Sequence, residues 1–503
     1  MQFYTFFGSD WDTVLVSGYR DGRKVNERVR YKPYLFVPGK GEYRTVTNKQ
    51  LDRVDFDSLR EARDFTKRFS EVSNFSIFGF TNYPYFHIYE QFKDVQYDPN
   101  LIRIGNIDIE TDSEHGFGNI QLADKAIISI SLKIFKDNVF YVLGLKDYET
   151  KEPELLDLIQ KGVKIKYIKC ENEKELLLQF ITLWERLQLD IITGWNIELF
   201  DIPYIIKRIM FVLTEEHAKR LSPFRLLGKK TVEMFGNQND QYEIVGIPII
   251  DGMQAHKKFA FVNEESYSLA YIANKLLGVS KLDYSEYRTL ARLYKENHNK
   301  FIDYNIIDVY RVEQIDNYSK FIDQIIMLAH TAKVNFIDTF TTVRIWDVLI
   351  HNYLMDQKIA VPGGTIGEKT QQIAGGYVKD PQVGKHDYVL SFDLTSLYPH
   401  LIMMYNISPE MLRGKFEPIF GQGSVDKVLR GDMKEYHDDM VKENVTVTGR
   451  GTVFSKEKVG FLPTLMKELF QKRKVFSKQM DQHEEDLAAI NNELHRREIK
   501  TEA

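Results

Sequence analysis

An α/β and α+β multidomain fold is predicted by three features of this 503-residue sequence. Length alone suggests roughly three domains, at about 150 residues each. Residues 1–100 read as short strands joined by turns at Asp21-Gly22 and Pro38-Gly39, the texture of a hairpin-rich unit. From Leu101 onward strands and helices alternate, the grammar of a sheet flanked by helices.

Local patterns place the elements. Ile128, Ile130, Leu132 and Ile134 alternate with Ser129, Ser131 and Lys133, which predicts a half-buried strand. Asn172 followed by Glu175 predicts a capping box that opens a helix reaching about Leu187, and a strand at Ile191-Ile192 follows. Between Met234 and Ile250, two polar-tipped strands flank a tip from Gly236 to Asp240, an extended hairpin. Residues 321–357 read as helical, with Trp346 and Leu349 among the apolar positions. Gly363-Gly364 and Gly375-Gly376 mark a linker, after which Tyr388-Val389-Leu390 predicts a strand delivering Asp393. Pro399 then falls in the first turn of a helix, where its missing N–H costs least. After Pro463 no Gly or Pro interrupts a long charged helical pattern.

Composition narrows the class. The chain is 43% hydrophobic and 28% charged, ordinary for a folded protein with sizeable cores. A net charge of −5 gives no global footprint for nucleic acid, so any DNA contact must come from local patches. The single Cys170 excludes a disulfide framework and a thiolate zinc site, and fits a reducing cytoplasm. The start of the chain lacks the basic residues and apolar core of a signal peptide, and no run approaches a membrane span.

Acidic residues supply the chemistry. In Asn106-Ile107-Asp108-Ile109-Glu110 the two carboxylates stand at i and i+2 of a strand, on one face, about 7 Å apart, and so could share a divalent cation. Asp201 opens a helix after the Ile191 strand, where it either caps that helix or is aimed at the carboxyl end of the sheet. Tyr304 and Asp308 stand one helical turn apart on one face, while Asp303 reads as solvated. Asp393 is a lone carboxylate beside a run of backbone N–H groups, suited to a metal-bound triphosphate. Two-metal phosphoryl transfer wants a second one.

Asp-x-Glu, then Asn196 to Asp201, then Tyr304 to Asp308, in this order, resembles the three motifs of the DEDDy-type 3′→5′ exonucleases, whose fold is ribonuclease-H-like. The resemblance implies that Asp108, Glu110, Asp201 and Asp308 hold two Mg²⁺ ions, with Mn²⁺ as a substitute, and that Tyr304 orients the attacking water. Asp393 to Tyr398 resembles motif A of family B DNA polymerases. The text from Ser391 to Pro399 and Asn406 to Glu410 is similar to the replicative enzymes of T-even-type bacteriophages, as are Ile192 to Glu198, Lys257 to Phe261 and Tyr304 to Val309. This likeness runs from near the N-terminus to about residue 480 and implies that Asp393 and the Leu394 carbonyl ligate metal. It also implies that Tyr398 excludes a 2′-OH, and that Arg473 and Lys478 grip the triphosphate on a fingers helix. Two positions depart from the family: His400 stands for its usual Ser, and Ser477 for its second phosphate-binding lysine, a role that Lys478 or Lys474 would have to take.

The family's domains map as an N-terminal domain over 1–100 with 321–364 returning to it, an exonuclease domain over 101–320, a partial palm over 365–460 and partial fingers over 461–503. Residues from Asp481 to Ala503 then form the outgoing arm of a two-helix fingers hairpin, and the hairpin around 232–245 helps move a primer end to the exonuclease. The family's Lys-x3-Asn-Ser-x-Tyr-Gly helix and its Asp-Thr-Asp turn do not occur in this sequence. The resemblance thus implies the first subunit of a split replicative polymerase, working in the cytoplasm of an infected bacterium on primer-template DNA and dNTPs. A second chain brings the remaining palm, fingers and thumb, and with them contacts to a sliding clamp and a single-strand-binding protein. The competing readings are a truncated chain acting only as a 3′→5′ exonuclease, and a non-catalytic DNA-binding scaffold.

Overall fold

The Ile104–Thr111 strand lies inside a six-stranded mixed sheet of order 249–251, 191–194, 104–111, 127–134, 139–144, 164–169. It runs parallel to the Ile191–Gly194 strand on one side and antiparallel to the Ile127–Ile134 strand on the other. This computed structural model describes residues 2–502 apart from 70–71, 73–74, 94–95, 115, 117, 235–236, 261, 363–379, 418–423 and 433. The expected linker glycines (Gly363-Gly364 and Gly375-Gly376), Gly236 at the expected hairpin tip and Phe261 lie outside the described residues. Two compact units divide the chain: residues 1–41, 51–357 and 361–364 in one, and 42–50, 358–360 and 365–503 in the other.

In the first unit, Ile107 and Ile109 point from the central strand into a core with Leu176, Phe180, Trp184 and Ile205. Those residues come from the helices Glu173–Leu187 and Asp201–Val212, which cover that face of the sheet. Asn172 caps the first of them by accepting from the Glu175 N–H (3.1 Å), whereas Glu175 reaches back to the Glu171 N–H (2.7 Å), so only half of the expected capping box forms. The helix His298–Ser319 covers the other face, packing Phe301, Ile302 and Ile306 on Phe140 and Val142.

That second cover corrects one expectation. The Ile127–Ile134 strand is buried on both faces, because Ser129 and Ser131 donate to Asn305 Oδ1 (2.8 and 2.6 Å) and Lys133 pairs with Glu313 (2.6 Å). Each buried polar group has a partner, which is what lets an alternating strand be enclosed. Two turn expectations also change. Asp21-Gly22 joins two paired strands, as expected, but Pro38-Gly39 lies within the Tyr34–Arg44 strand. A two-stranded sheet has only edges, where proline costs no ladder bond that matters. The hairpin is longer than expected, pairing Leu227–Met234 with Asn237–Ile244, so Asn237 to Asp240 belong to a strand rather than a tip.

Residues 321–357 form the helices Phe321–Ala332 and Thr342–Met355 around a 3₁₀ turn at Phe336–Phe340. They meet the N-terminal strands: Tyr4 OH donates to the Ala329 and Val334 carbonyls (3.1 and 3.0 Å), and Asn335 exchanges two hydrogen bonds with the Phe7 backbone (2.9 and 2.8 Å).

Asp190 ties the N-terminal strands to the sheet. Its carboxylate accepts from Thr5 Oγ1 (3.1 Å), Tyr19 OH (2.7 Å) and the Arg103 N–H (2.8 Å), and pairs with Lys24 (3.0 Å). Arg103 and Asp190 immediately precede the strands starting at Ile104 and Ile191, so one buried carboxylate sets the start of both. Asp190→Ala leaves the Lys24 ammonium buried without its counter-charge, and should cost about 3–5 kcal/mol in urea unfolding. A loss below about 1 kcal/mol would show that the pair is screened by water.

In the second unit, Leu412–Lys415, Thr452–Ser455 and Val445–Val447 form a three-stranded sheet with Thr452–Ser455 central. The expected strand at 388–390 does not form. Residues 380–395 carry no strand or helix, Tyr388 has φ +58°, and Val389, Leu390, Phe392 and Leu394 are exposed. Among the described residues no strand pairs with this segment, and an unpaired strand leaves its N–H and C=O groups without ladder partners. The Leu397–Tyr405 helix starts as expected, with Pro399 in its first turn. The expected fingers hairpin is replaced by one continuous helix, Phe461–Glu502, into which residues 481–502 run without a turn. Without Gly or Pro after Pro463 nothing interrupts the i→i−4 ladder.

Candidate active site

Four carboxylates and a tyrosine from three separate segments meet where the Ile104–Thr111 strand leaves the Ile191–Gly194 strand. Asp108 and Glu110 project on the face opposite Ile107 and Ile109, as a period of two requires. They sit on an inner strand, half-buried, which excludes a solvated edge. Asn305, fixed by the two serine hydroxyls, donates its Nδ2 to Asp108 Oδ2 (2.6 Å).

Asp201 arrives through a loop whose shape no sequence pattern explains. Asp251, at the end of its own short strand, accepts from the N–H groups of Asn196 (3.3 Å), Glu198 (3.1 Å), Met253 (2.9 Å) and Gln254 (3.1 Å). It thereby folds the 194–200 segment tightly at Gly194, where a Cβ would collide with the Ile107 carbonyl (2.5 Å) and with Ile197. Asp201 is then the first residue of its helix, and its Oδ1 accepts from the Ile109 N–H (3.1 Å), between Asp108 and Glu110. The carboxylate is thus turned towards the sheet.

Tyr304 and Asp308 share a face of the His298–Ser319 helix, and the Lys281 ammonium bridges them, donating to Asp308 Oδ2 (2.6 Å) and Tyr304 OH (3.0 Å). Tyr284 packs edge-on against Tyr304 with ring centroids 5.3 Å apart. Nothing in the sequence marks Lys281 and Tyr284; their segment carries no helix or strand, so periodicity gives no handle on it. Asp303, expected to be solvated, is buried and accepts from Tyr148 OH (2.7 Å). Burial pushes its carboxyl up to about 6 against that hydrogen bond.

Charge crowding dominates the electrostatics. Burial, then repulsion from Asp201, Glu110 and Asp308, raises the Asp108 carboxyl well above the ordinary range. Burial and then Asp308 push Glu110 up to about 8, and burial pushes Asp201 to about 7 against its bond from Ile109. Asp308 is raised by burial although Lys281 opposes it. Lys281 itself is lowered by burial but raised more by Asp308 and its neighbours, so it stays an ammonium. Tyr304 is held as the neutral phenol, first by burial and then by Asp308.

The donors are hard oxygens, the type that Mg²⁺ or Mn²⁺ takes, and the Asp308 Oδ1 is buried without a hydrogen-bond partner. Among the described residues, however, no three acidic or histidine side chains are gathered tightly enough to ligate one ion. Lys281 and Asn305 occupy oxygens of Asp308 and Asp108, so the single lysine stands among the carboxylates as their counter-charge. The set fits divalent cations in chemistry once those two side chains give way.

Charge crowding has a measurable consequence. Carboxyls raised on folding bind protons more tightly in the folded chain, so their contribution to stability is present below the ordinary carboxylate range. It is lost as pH rises through about 7 and about 8, the values for Asp201 and Glu110. Scanning calorimetry in chelator should therefore show Tm falling between about pH 4 and about pH 8 and levelling off above, with Mg²⁺ restoring it, because a cation bound to the folded form alone stabilises it. A Tm independent of both pH and Mg²⁺ would contradict the crowding.

The other predicted residues lie in the second unit. Asp393, Leu394 and Tyr398 are exposed, as is Lys478. Arg473 Nη1 donates to Ser396 Oγ (3.0 Å), which brings the long helix to the turn at Thr395-Ser396, just after Asp393. His400 packs edge-on against Phe470 (4.8 Å), and Lys474 lies over the same ring (4.7 Å).

Comparison with known proteins finds two models of one family along the chain. The model for the exonuclease domain of DNA polymerase family B matches residues 80–272, and that for DNA polymerase family B matches 335–500. The DNA-directed DNA polymerase of Escherichia phage RB69 is 32% identical over 474 residues, 90% of this chain and 51% of that protein. That of Enterobacteria phage T4 is 30% identical over 488 residues, 93% of this chain and 53% of that protein. DNA polymerase II of Escherichia coli is 27% identical over 326 residues, 62% of this chain and 37% of that protein. The chain spans about half the length of the phage relatives it matches. Among the described residues no helix is long and apolar enough to cross a membrane. The sheet with its acidic face, the helix joined to the Asp393 turn and both family matches agree: this chain belongs to the family B DNA polymerases and carries that family's exonuclease domain.

Proposed function

We propose that this chain removes mispaired 3′-terminal nucleotides from DNA by hydrolysis and supplies one half of a polymerase site that a second chain completes. The observation that carries the nuclease reading is the convergence of Asp108, Glu110, Asp201 and Asp308, with the Lys281 ammonium beside Asp308, Asp108 and Glu110. Asp108, Glu110, Asp201 and Asp308 would hold two Mg²⁺ ions, or Mn²⁺. These supply Lewis-acid stabilisation of the attacking and leaving oxygens when bound. The protein's own part is positional. Asn305 fixes Asp108, the Ile109 N–H fixes Asp201, and the neutral Tyr304 phenol has a proton to donate to the attacking water or to a phosphate oxygen. Water adds to phosphorus as the P–O3′ bond breaks, leaving a 3′-OH on the shortened strand and a nucleoside 5′-monophosphate. The Lys281 ammonium, balancing the carboxylates in the free chain, is free to turn to the incoming phosphodiester.

For synthesis, Asp393 and the Leu394 carbonyl would ligate metal, Tyr398 would pack under the incoming sugar, and Arg473 with Lys478 would bind the triphosphate. The exposed side chains of Val389, Leu390, Phe392 and Leu394, with Tyr398 beyond them, support a neighbour on this face, since such groups are rarely left together in water. The second chain would bring the remaining palm, fingers and thumb, and through it a sliding clamp and a single-strand-binding protein. The setting is the cytoplasm of an infected bacterium.

The test is extension of a 5′-labelled primer on a template by the chain alone with Mg²⁺ and four dNTPs, run with Asp108→Ala to suppress degradation. No extension is expected. Extension by the lone chain would contradict the two-chain site.

A further inference from the structure

Asp201 opens a helix that has no side-chain cap. Phe200, the residue ahead of it, offers no acceptor, and the Asp201 carboxylate accepts from the Ile109 N–H of the sheet. A first turn without a cap has no side chain of its own to fix the angle at which the chain enters it. Asp251 fixes that angle from outside the helix. It is buried, and it stands opposite Gly194 as the last pair of the parallel strands 191–194 and 249–251. Asn196 takes a left-handed φ of +63°, and the N–H groups of Asn196 and Glu198 both turn towards one point. Such alternate N–H groups form an anion-binding nest, and the anion in this one is the Asp251 carboxylate.

The two carboxylate oxygens divide the work. Oδ1 caps the helix Gly252–Phe259, accepting from the Met253 and Gln254 N–H groups (2.9 and 3.1 Å), and takes the Asn196 N–H at a longer 3.3 Å. Oδ2 takes the Glu198 N–H (3.1 Å), three residues ahead of Asp201. We infer that Asp251 is a positioning residue of the acidic site: by holding the 194–200 segment it releases Asp201 from capping and keeps it aimed between Asp108 and Glu110. Asp251 is not itself a ligand, because four backbone N–H groups occupy its acceptor sites inside the fold. A fifth acid beside the four thus serves their geometry. The inference rests on the nuclease reading above and names what holds one of its four carboxylates in place.

Asp251→Asn separates the two oxygens. The amide oxygen, drawn to the three N–H groups at Oδ1, keeps the helix cap, for which Asn is as good as Asp. The amide NH2 then faces the Glu198 N–H, donor against donor, and the segment ahead of Asp201 loses its hold. Tm should fall by no more than about 4 °C, the loss of one hydrogen bond. The kcat for hydrolysis of a 5′-labelled single strand should fall about 10²-fold with KM within about threefold, since a misplacement of about 1 Å has that effect. Independently of activity, the Mg²⁺ concentration giving half of the rise in Tm should move up about tenfold, as it does when an outer partner of a metal ligand is lost. Asp251→Ser, which keeps a cap but has no second oxygen, should match the Asn variant. An unchanged kcat and Mg²⁺ midpoint in both variants would overturn the inference. So would a raised KM at constant kcat, or lost activity together with a fall in Tm of about 10 °C or more, which would make the role structural. A parent chain that cleaves no DNA would refute the nuclease reading alone, because the Mg²⁺ midpoint still reports whether Asp251 positions Asp201.

Discussion

Asp108→Ala lowers the rate of 3′-end hydrolysis by about 10³-fold or more, the loss of several kcal/mol of charge stabilisation at about 1.4 kcal/mol per tenfold. Asp108 is the carboxylate most central to the cluster: it is repelled by Asp201, Glu110 and Asp308 and held by Asn305. The same crowding separates a chemical effect from an unfolded variant. Removing one of four mutually repelling acids relieves strain at high pH, so Tm of the alanine variant in chelator should equal or exceed that of the parent at about pH 8. A variant that loses activity together with several degrees of Tm would assign Asp108 a structural role instead. Initial rates on a 5′-labelled single strand, with calorimetry on the same preparation, make the distinction.

Asp393→Ala, in a chain paired with the proposed second subunit, should abolish primer extension and leave 3′-end hydrolysis at the parent rate. The two halves of this expectation come from different units: Asp108, Glu110, Asp201 and Asp308 lie within residues 51–357, and Asp393 within 365–503. Asp393 is exposed on a segment without a strand, so its removal breaks no packing. An unaltered extension rate would remove the motif A reading, and a parallel fall in hydrolysis would mean that the carboxylate acts on both reactions.

The placement of the clustered carboxylates was legible because strand and helix periods dictate which side chains share a face. Asp108 and Glu110 at a spacing of two, and Tyr304 and Asp308 at four, land where those periods put them. What was not legible depends on partners distant in sequence. Lys281 reaches Asp308 and Tyr304 only through tertiary folding, and Asp251 fixes the loop ahead of Asp201 from some 50 residues downstream. Ser129, Ser131 and Asp303 read as solvent-facing because a sequence shows polarity but not the Asn305 and Tyr148 groups that satisfy it. In the second unit the errors have the opposite source. Tyr388 to Leu390 has strand composition, but among the described residues it has no neighbouring strand to pair with, and composition alone does not make a ladder. The long helix passes Asp481 because a hairpin needs a turn residue there and the sequence offers none.

The central claim is that the nuclease site is complete in this chain without any other. Its most direct measurement is a time course of the purified chain alone on 5′-labelled single-stranded DNA with Mg²⁺. A ladder of products shortened from the 3′ end, absent with chelator and with Asp108→Ala, is the predicted result. Intact DNA after prolonged incubation with Mg²⁺ or Mn²⁺ would contradict it and favour a DNA-binding scaffold.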